Sequence, residues 1–377
     1  MRLFSCQNCR QLVYFENVSC TRCGAVLGFL PDQLQLVALD PVVAGDVWRP
    51  LGGGDGTRHY RHCANRVVHD VCNWMVPVED HQDYCLACRL NHTIPDLTVA
   101  GNMALWHRIE TEKRRLIYSL LRLGLPVTAR SDSCAGLAFD FLADTEPTFT
   151  ETGRVFTGHA DGLITLNVAE ADPVVRERMR SRMAEPYRTI LGHFRHESGH
   201  YYWERLVAGS DWLTAYRSMF GDERQDYQTA LQNHYACGPA PGWGGIFVSA
   251  YASSHPWEDW AESWAHYLHI IDTLETAYQF GLEVKPRVAC KDEIRVGLAF
   301  DPYHQTDFQA VIDHWLPLTY ALNSLNRSMG HEHLYPFVLA APVIDKLNLI
   351  HRIVQAASLP CIQSAQGQAS QDRKSVV

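Results

Sequence analysis

The segment from His196 to His200 (HESGH) has residue types and spacing that suit metal-assisted hydrolysis. Two histidines four residues apart on a helix project from one face, so both imidazoles can reach one metal ion. Glu197 follows the first histidine and can act as a general base on a water at that ion, as in the HExxH motif. Apolar and aromatic neighbours indicate that this helix is buried, and Gly199 would permit the close approach of another element.

A third ligand has to come from another part of the chain, because two imidazoles do not complete a zinc site. Glu258 and Glu262 lie four residues apart on a predicted helix, 256–280, which starts with a proline. Such a pair can supply one metal ligand and one carboxylate that holds a ligand imidazole by its other nitrogen. A separate apolar stripe is predicted on another face of this helix: Trp257, Trp260, Trp264 and Leu268. A solvated acidic face is the alternative for the two glutamates.

The first four cysteines form two CxxC pairs, Cys6 with Cys9 and Cys20 with Cys23. Two such knuckles present four thiolates from tight turns and can close a tetrahedral zinc site. The N-terminal residues show no apolar run of signal-peptide length, so metal ligands are favoured over disulfides. Four thiolates also suit iron in a rubredoxin-like site, and iron therefore stays open here.

A second set of cysteines contains only one CxxC pair: Cys63, Cys72, Cys85 and Cys88. We predict a second closed metal site, with buried free thiols as the alternative. Three nearby histidines, His62, His69 and His81, could replace a cysteine. Both sites are expected to be structural, because a small domain with little apolar material often needs metal to fold.

The remaining cysteines are scattered singly, and we predict that they are buried thiols: Cys134, Cys237, Cys290 and Cys361.

The apolar pattern predicts the elements that must position these groups. Helices are predicted over 103–123, 211–219, 225–236, 306–326 and 340–357, and Pro186 should interrupt a helical region over 173–207. Strands are predicted over 138–142 and 162–167. The second strand is a candidate edge strand for pairing with an extended substrate.

Composition and charge exclude several classes of function. The chain has 377 residues, 46% hydrophobic and 20% charged, which is typical of a globular protein with two or three domains. Its net charge of -9 argues against non-specific binding of nucleic acid. No stretch reaches the roughly 18 apolar residues that could cross a bilayer. We therefore expect no membrane partner and a cytoplasmic location.

Beyond these patterns, the sequence resembles known peptidases. HExxH followed by a Glu-x-x-x-acid segment is the gluzincin pattern, and residues 258–262 (EDWAE) look like the Glu-x-Phe-Ala-Glu segment of lethal-factor-like peptidases. Those peptidases carry a tyrosine seven residues before the ligand glutamate, where this chain has Tyr251. The resemblance implies that Glu258 binds zinc, that Glu262 accepts a hydrogen bond from a ligand imidazole and that Tyr251 stabilises the oxyanion.

Nearly the full length resembles a bacterial group of zinc-binding metallopeptidases with an N-terminal zinc-ribbon domain. The matching stretches are 4–23, 72–74, 85–89, 187–189, 193–203 and 255–269.

These inferences combine into an α+β prediction. A small β-rich, zinc-ribbon or rubredoxin-like domain with two metal sites (1–95) precedes a mainly helical, zincin-like metallopeptidase domain with a small sheet (96–357), and a disordered tail follows (358–377). The predicted function is zinc-dependent hydrolysis of peptide bonds with Glu197 as general base. The expected cofactors are one catalytic and two structural zinc ions. The expected partners are a peptide or protein substrate and, through the ribbon, a second protein.

Two alternatives remain open on the sequence alone: a non-peptidase zinc hydrolase and a non-catalytic zinc-ribbon interaction protein.

Overall fold

A computed structural model describes residues 1–42, 45–52, 58–144, 157–182, 185, 187–287, 294–297 and 299–371, with side chains to residue 358. Contacts within the chain define two compact units. Unit 1 consists of Met1–Tyr118 and Val127–Phe194, and unit 2 of Ser119–Pro126 and Arg195–Val377. Among the described helices, none is both long enough and apolar enough to cross a membrane.

Local start signals set where helices begin. Pro256 lies in the first turn of its helix, and the ring of His255 accepts a hydrogen bond from the backbone N–H of Trp257. Asp226 caps another helix by accepting a hydrogen bond from the N–H of Thr229 at 2.7 Å. The helices are α1 (Ala64–His69), α2 (Asn102–Arg122), α3 (Pro173–Arg182), α4 (Ile190–Leu206), α5 (Trp212–Phe220), α6 (Tyr227–Cys237), α7 (Pro256–Gln279), α8 (Phe308–Ser328) and α9 (Ala341–Gln371).

The helices predicted over 103–123, 211–219, 225–236, 256–280 and 306–326 are confirmed by α2, α5, α6, α7 and α8. The predicted region 173–207 forms two helices, α3 and α4, as expected. Pro186 itself lies outside the described residues. The tail predicted from residue 358 lies only partly within the described residues, so its disorder stays a prediction.

The strands are short, as expected for a chain rich in turns. They are β1 (Phe4–Ser5), β2 (Leu12–Val13), β3 (Val26–Leu30), β4 (Gln35–Pro41), β5 (Trp48–Pro50), β6 (Tyr60–His62), β7 (Met75–Pro77), β8 (Asn91–Thr93), β9 (Ala138–Leu142), β10 (Gly158–Ala160), β11 (Leu163–Asn167), β12 (Glu283–Val284) and β13 (Val296–Gly297).

Unit 1 contains the β-rich part of the described chain. β3 to β7 form an antiparallel sheet in sequential order, and the N–H of Phe29 donates to the carbonyl of Asn73 at 2.8 Å, next to the last strand. A second sheet has the order β10-β11-β9-β8, in which β8 and β11 run parallel to β9. The core is aromatic: the ring centre of Phe29 lies 4.8 Å from that of Trp74 and 4.9 Å from that of Phe15.

Unit 2 is mainly helical and is built around α7. Trp260, Trp264 and Ile271 of this helix are fully buried. α5, α8 and α9 pack against it. Arg122 forms a buried ion pair with Glu275 of α7 at 3.0 Å. A β-rich N-terminal region followed by a mainly helical region with small sheets confirms the predicted α+β class.

Two structural predictions from the sequence are wrong. β11 pairs with β10 on one side and with β9 on the other, so it is not an edge strand. The partner β10 is only three residues long and gave no separate strand signal. Cys134 and Cys237 are exposed, not buried. α6, which ends at Cys237, has no buried residue, so nothing covers that thiol. Cys290 and the side chain of Cys361 lie outside what the structure describes.

Candidate metal and active site

Helix α4 brings His196, Glu197 and His200 together. Their possible ligand atoms all lie within 4.8 Å of one another. Glu197 and His200 are only 7% and 4% exposed, so the polar groups of this turn face the protein interior. Burying them is costly unless they are paired or bind a metal ion.

Gly199 determines how closely α4 and α7 approach each other. A Cβ atom at this position would lie 2.9 Å from the Cα of Ala261 and 3.2 Å from the Cβ of Trp264. The indole N–H of Trp260 donates to the carbonyl of Gly199 at 2.9 Å, and that of Trp264 to the hydroxyl of Ser198 at 3.2 Å. The expected close approach is therefore confirmed, and it brings the acidic residues of α7 against the imidazoles of α4.

Glu258 of α7 meets both imidazoles. Its Oε2 lies 3.1 Å from His196 Nε2 and its Oε1 lies 3.6 Å from His200 Nε2. Nitrogen and oxygen ligands at about 2.1 Å from a tetrahedral zinc ion are separated from each other by about 3.4 Å. The spacing of these three groups therefore fits one zinc ion.

The electrostatics of this group favour a cation between the donors. Burial alone would raise the pKa of Glu258, but His200 and His196 hold that pKa well below its usual value. Burial alone would lower the pKa of His196, but its hydrogen bonds to Glu258 and Glu262 raise it well above the usual range. A metal cation can replace such a proton, because metal ligands bind in their deprotonated form.

Glu262, one turn after Glu258, holds the other side of His196. Its Oε1 lies 2.7 Å from His196 Nδ1, which leaves Nε2 directed at Glu258. The hydroxyl of Ser249 donates to Glu262 Oε2 at 2.6 Å. A carboxylate in this position orients a ligand imidazole and increases its basicity. The sequence carried no signal for Ser249.

Tyr227 is a second residue that sequence reasoning missed. It lies in the first turn of α6, 31 residues before Glu258, and its hydroxyl donates to Glu258 Oε1 at 2.6 Å. Burial and the charge of Glu258 raise the pKa of Tyr227, so the hydroxyl keeps its proton. A tyrosine in a short predicted helix has no distinguishing pattern, so only the fold could identify it.

Tyr251 also lies at this site, in a 3₁₀ helix over Tyr251–Ser253. Its ring centre is 6.0 Å from that of His196 and 6.0 Å from that of His234 on α6. Burial, followed by the charge of Glu258, strongly raises the pKa of Tyr251. The protonated phenol can therefore act as a hydrogen-bond donor.

Trp257, which the sequence placed in the apolar stripe of α7, lies at the site as well. Its side chain is only partly buried, and its ring centre lies 4.0 Å from that of His200. Position 257 is in the first turn of α7, beside the histidines, whereas Trp260 and Trp264 face the core. The predicted apolar stripe is therefore fully buried at Trp260 and Trp264 and partly buried at Trp257.

The first cysteine cluster contains Cys6, Cys9, Cys20 and Cys23. The sulfurs of Cys6 and Cys23 are 3.7 Å apart and those of Cys9 and Cys20 are 3.5 Å apart. These distances exclude disulfides, whose S–S bond is about 2 Å. They fit the edge of about 3.8 Å expected for four thiolates around zinc.

The second cysteine cluster is fully buried: Cys63, Cys72, Cys85 and Cys88. The sulfurs of Cys72 and Cys85 are 3.7 Å apart. Among the described residues this donor group contains four cysteines and no histidine. His62 pairs with Asp46, His69 packs on Trp106, and His81 is exposed. The four thiols therefore form a closed set of metal donors.

Two family models match the chain. The family described as "Putative zinc-binding metallo-peptidase" matches residues 102–353, and a zinc-ribbon domain matches residues 3–99. These matches and the three donor clusters support zinc binding.

Relatives from mycobacteria cover almost the whole chain. A protein of Mycobacterium bovis (strain ATCC BAA-935 / AF2122/97), described as uncharacterized, is 44% identical over 356 residues, which is 94% of this chain and 95% of the relative. A protein of Mycobacterium tuberculosis (strain CDC 1551 / Oshkosh), with the same description, matches with the same identity and coverage. No solved structure gives a significant match. Because the first of these models spans about two thirds of the chain, the protein belongs to the family described as "Putative zinc-binding metallo-peptidase", with a zinc-ribbon domain at its N-terminal end.

Proposed function

We propose that the protein hydrolyses peptide bonds with a zinc ion held by His196, His200 and Glu258. The observation that carries this proposal is the meeting of two imidazoles from α4 with a carboxylate from α7 at distances of 3.1 and 3.6 Å. Three protein ligands leave one position of a tetrahedral zinc ion open, which is the arrangement of catalytic sites and not of structural ones. Zinc in such a site polarises a substrate carbonyl and makes water more acidic.

Glu197 is the general base in this proposal. It follows the first histidine, and its carboxylate belongs to the same donor group as the two imidazoles. It takes a proton from the attacking water and passes it to the leaving amine. Its low exposure supports this role, because a carboxylate shielded from bulk water transfers protons to its neighbours within the site.

Tyr251 donates a hydrogen bond to the developing oxyanion. The raised pKa of its phenol and the proximity of its ring to His196 support this role. Tyr227 has a different task, because its hydroxyl is already engaged with Glu258. Glu262, supported by Ser249, fixes the orientation of His196.

The substrate is a peptide or a protein, and the two cysteine sites hold structural zinc, with iron as the competing metal. The net charge of -9 argues against non-specific binding of nucleic acid and favours a protein as the partner of the ribbon.

The test is the Glu197→Gln variant, which keeps the shape of the side chain but cannot take a proton. Hydrolysis of a quenched fluorescent peptide library should fall by about 10²–10⁴-fold while bound zinc stays the same. Full peptide hydrolysis by this variant would exclude the role of Glu197. If the wild-type protein cleaves small esters but no peptide in the library, a non-peptidase zinc hydrolase replaces the proposal. If the wild-type protein cleaves neither substrate and binds no zinc beyond the cysteine clusters, a non-catalytic role replaces the proposal.

A further inference from the structure

Helix α2 places three buried charged side chains beside the second cysteine cluster. Glu110 and Lys113 are 0% exposed and Arg114 is 4% exposed. Buried charges of this kind require partners, because the cost of removing an ion from water is several kcal/mol.

Glu110 and Lys113 largely satisfy each other. Oε1 of Glu110 accepts hydrogen bonds from Lys113 at 2.9 Å, from Asn91 at 2.8 Å and from Trp106 at 3.2 Å. Lys113 also donates to the side chain of Asn91. Oε2 of Glu110 faces the sulfur of Cys88 at 3.9 Å.

Arg114 is the cation of this group that lies farther from the carboxylate of Glu110. Its shortest distance to Glu110 is 3.8 Å, and its hydrogen bond at 2.7 Å goes to the carbonyl of Val71, which precedes Cys72. Burial would lower the pKa of Arg114, but Cys72, Glu110, Cys88 and Cys85 together raise it. Through the carbonyl of Val71 the guanidinium is anchored next to Cys72, and three cysteines of the cluster as well as Glu110 favour its charged form.

Four thiolates around a divalent metal ion carry two negative charges in excess. We propose that Arg114 supplies the counter-charge for the metal–thiolate group of the second cysteine site, and that metal binding at this site is thereby coupled to the folding of α2. Without the metal, the guanidinium lacks the negatively charged metal–thiolate group, and only Glu110, 3.8 Å away, partly compensates its charge. With the metal, the guanidinium and the cluster stabilise each other.

The first cysteine site differs from the second in its exposure to water. Cys23 is exposed and Cys9 is only partly buried, so water can solvate the charge of that cluster. No buried counter-charge is needed there, and the same chain provides an internal comparison.

The sulfurs of the second site come from the segment matched by the zinc-ribbon model, and the charges come from the segment matched by the metallopeptidase model. The inference therefore means that the matched segments do not fold as independent modules. It does not depend on whether the protein is a peptidase.

The experiment uses the full-length chain loaded with cadmium, so that ¹¹³Cd NMR resolves the two cysteine sites, with a Cys6→Ser variant to assign the first. Arg114→Met should lose metal from the second site at least about 10-fold faster to a chelator, with the first site unchanged. Arg114→Lys keeps the charge and should stay close to the wild type. Arg108→Met is the matched control, because Arg108 is an exposed residue of the same helix.

Equal metal loss from wild type and Arg114→Met would overturn the proposal. If Arg114→Met does not fold, Arg114→Lys decides: a folded protein that retains its metal supports the counter-charge, and loss of the second-site metal from it overturns the proposal. If Arg108→Met loses metal from the second site as fast as Arg114→Met does, the proposal is overturned too.

Discussion

At the scale of single residues, the site combines candidate metal ligands with side chains that orient these ligands. Glu258 receives a hydrogen bond from Tyr227, and His196 is held by Glu262, which is in turn held by Ser249. Partners of this kind change metal affinity through the geometry and basicity of the ligands. Tyr227 and Tyr251 lie at the same site but differ in what their hydroxyl groups can do.

Replacement of Tyr227 by Phe tests this difference. The variant removes the hydrogen bond to Glu258 and should weaken zinc binding at the site of His196 and His200 by about 10-fold. Competition with a chelator measures the affinity, and the cysteine-bound zinc should not change. Tyr235→Phe is the control, because Tyr235 is on the same helix but is 64% exposed. Wild-type affinity in Tyr227→Phe would contradict an orienting role.

At the scale of elements, the contact between α4 and α7 determines whether the ligands meet. Gly199 is packed against the backbone of Ala261, and two indole N–H groups of α7 donate to the turn that contains Gly199. Helices that approach this closely need a residue without a side chain at the contact. The glycine inside HExxH therefore serves packing, and the two histidines are ligands of the proposed metal site.

Gly199→Ala should therefore destabilise the protein, although alanine normally favours a helix. The added methyl group would overlap the backbone of α7, and overpacking of this kind costs about 1–3 kcal/mol. Urea denaturation followed by circular dichroism measures the loss, and zinc affinity at the site should fall with it. Gly192→Ala in the same helix is the control, because its Cβ would meet only side chains, at 3.0 Å or more. Equal stability of both variants would rule out the packing argument.

Helix α7 also buries a histidine behind the site. His266 is hydrogen-bonded to the hydroxyl of Tyr335 at 2.7 Å, and burial lowers the pKa of His266 to about 4, with Glu262 opposing and Arg195 adding to that effect. A histidine in the unfolded chain has a pKa of about 6.5. Between these values the unfolded chain binds a proton that the folded chain does not, so this contribution to stability is lost as the pH falls.

We therefore expect His266→Gln to lose less stability on acidification than the wild type. The difference should be on the order of 2 kcal/mol between about pH 7 and about pH 5. Urea denaturation at the two pH values measures it, and release of zinc by acid affects both proteins alike. His331→Gln, at an exposed position, should behave as the wild type does. The same pH dependence in His266→Gln and wild type would show that His266 does not titrate in this way.

At the scale of the whole molecule, the chain contains three donor clusters of two chemical kinds among its described residues. The cysteine clusters are closed sets of four thiols, whereas the histidine cluster has protein ligands for only part of a zinc coordination sphere. Structural zinc sites are closed, and catalytic ones keep an open position. This difference supports the proposal that the molecule separates metal that supports folding from metal that supports chemistry.

Metal analysis can test this separation. The wild-type protein should bind one zinc ion per cluster, three in all, and the His196→Ala/His200→Ala variant should bind one fewer. Peptide hydrolysis should be lost in this variant while its circular dichroism spectrum stays close to that of the wild type. Elemental analysis by mass spectrometry gives the count. A variant that still binds the full complement would place the third ion elsewhere.

Local sequence patterns were sufficient to predict several helices and the HExxH motif. Apolar spacing identified α2 and α7, Pro256 marked a helix start, and HExxH spacing identified His196 and His200 because both lie on one turn of one helix. Tyr227, Ser249 and Arg114 could not be predicted in this way, since each acts on a residue far away in the chain. The position of β11 inside its sheet likewise depends on the pairing of separate segments.

The sequence by itself determined the kinds of donor, their grouping along the chain and the helices that carry them, because these follow from residue type and from spacing within a few turns. Only the tertiary structure decided that Glu258 lies between the two imidazoles, that Tyr227 holds it and that Arg114 lies behind the second cysteine cluster. These arrangements are set by the packing of elements that are distant in sequence, and such packing depends on the shapes of whole helix faces.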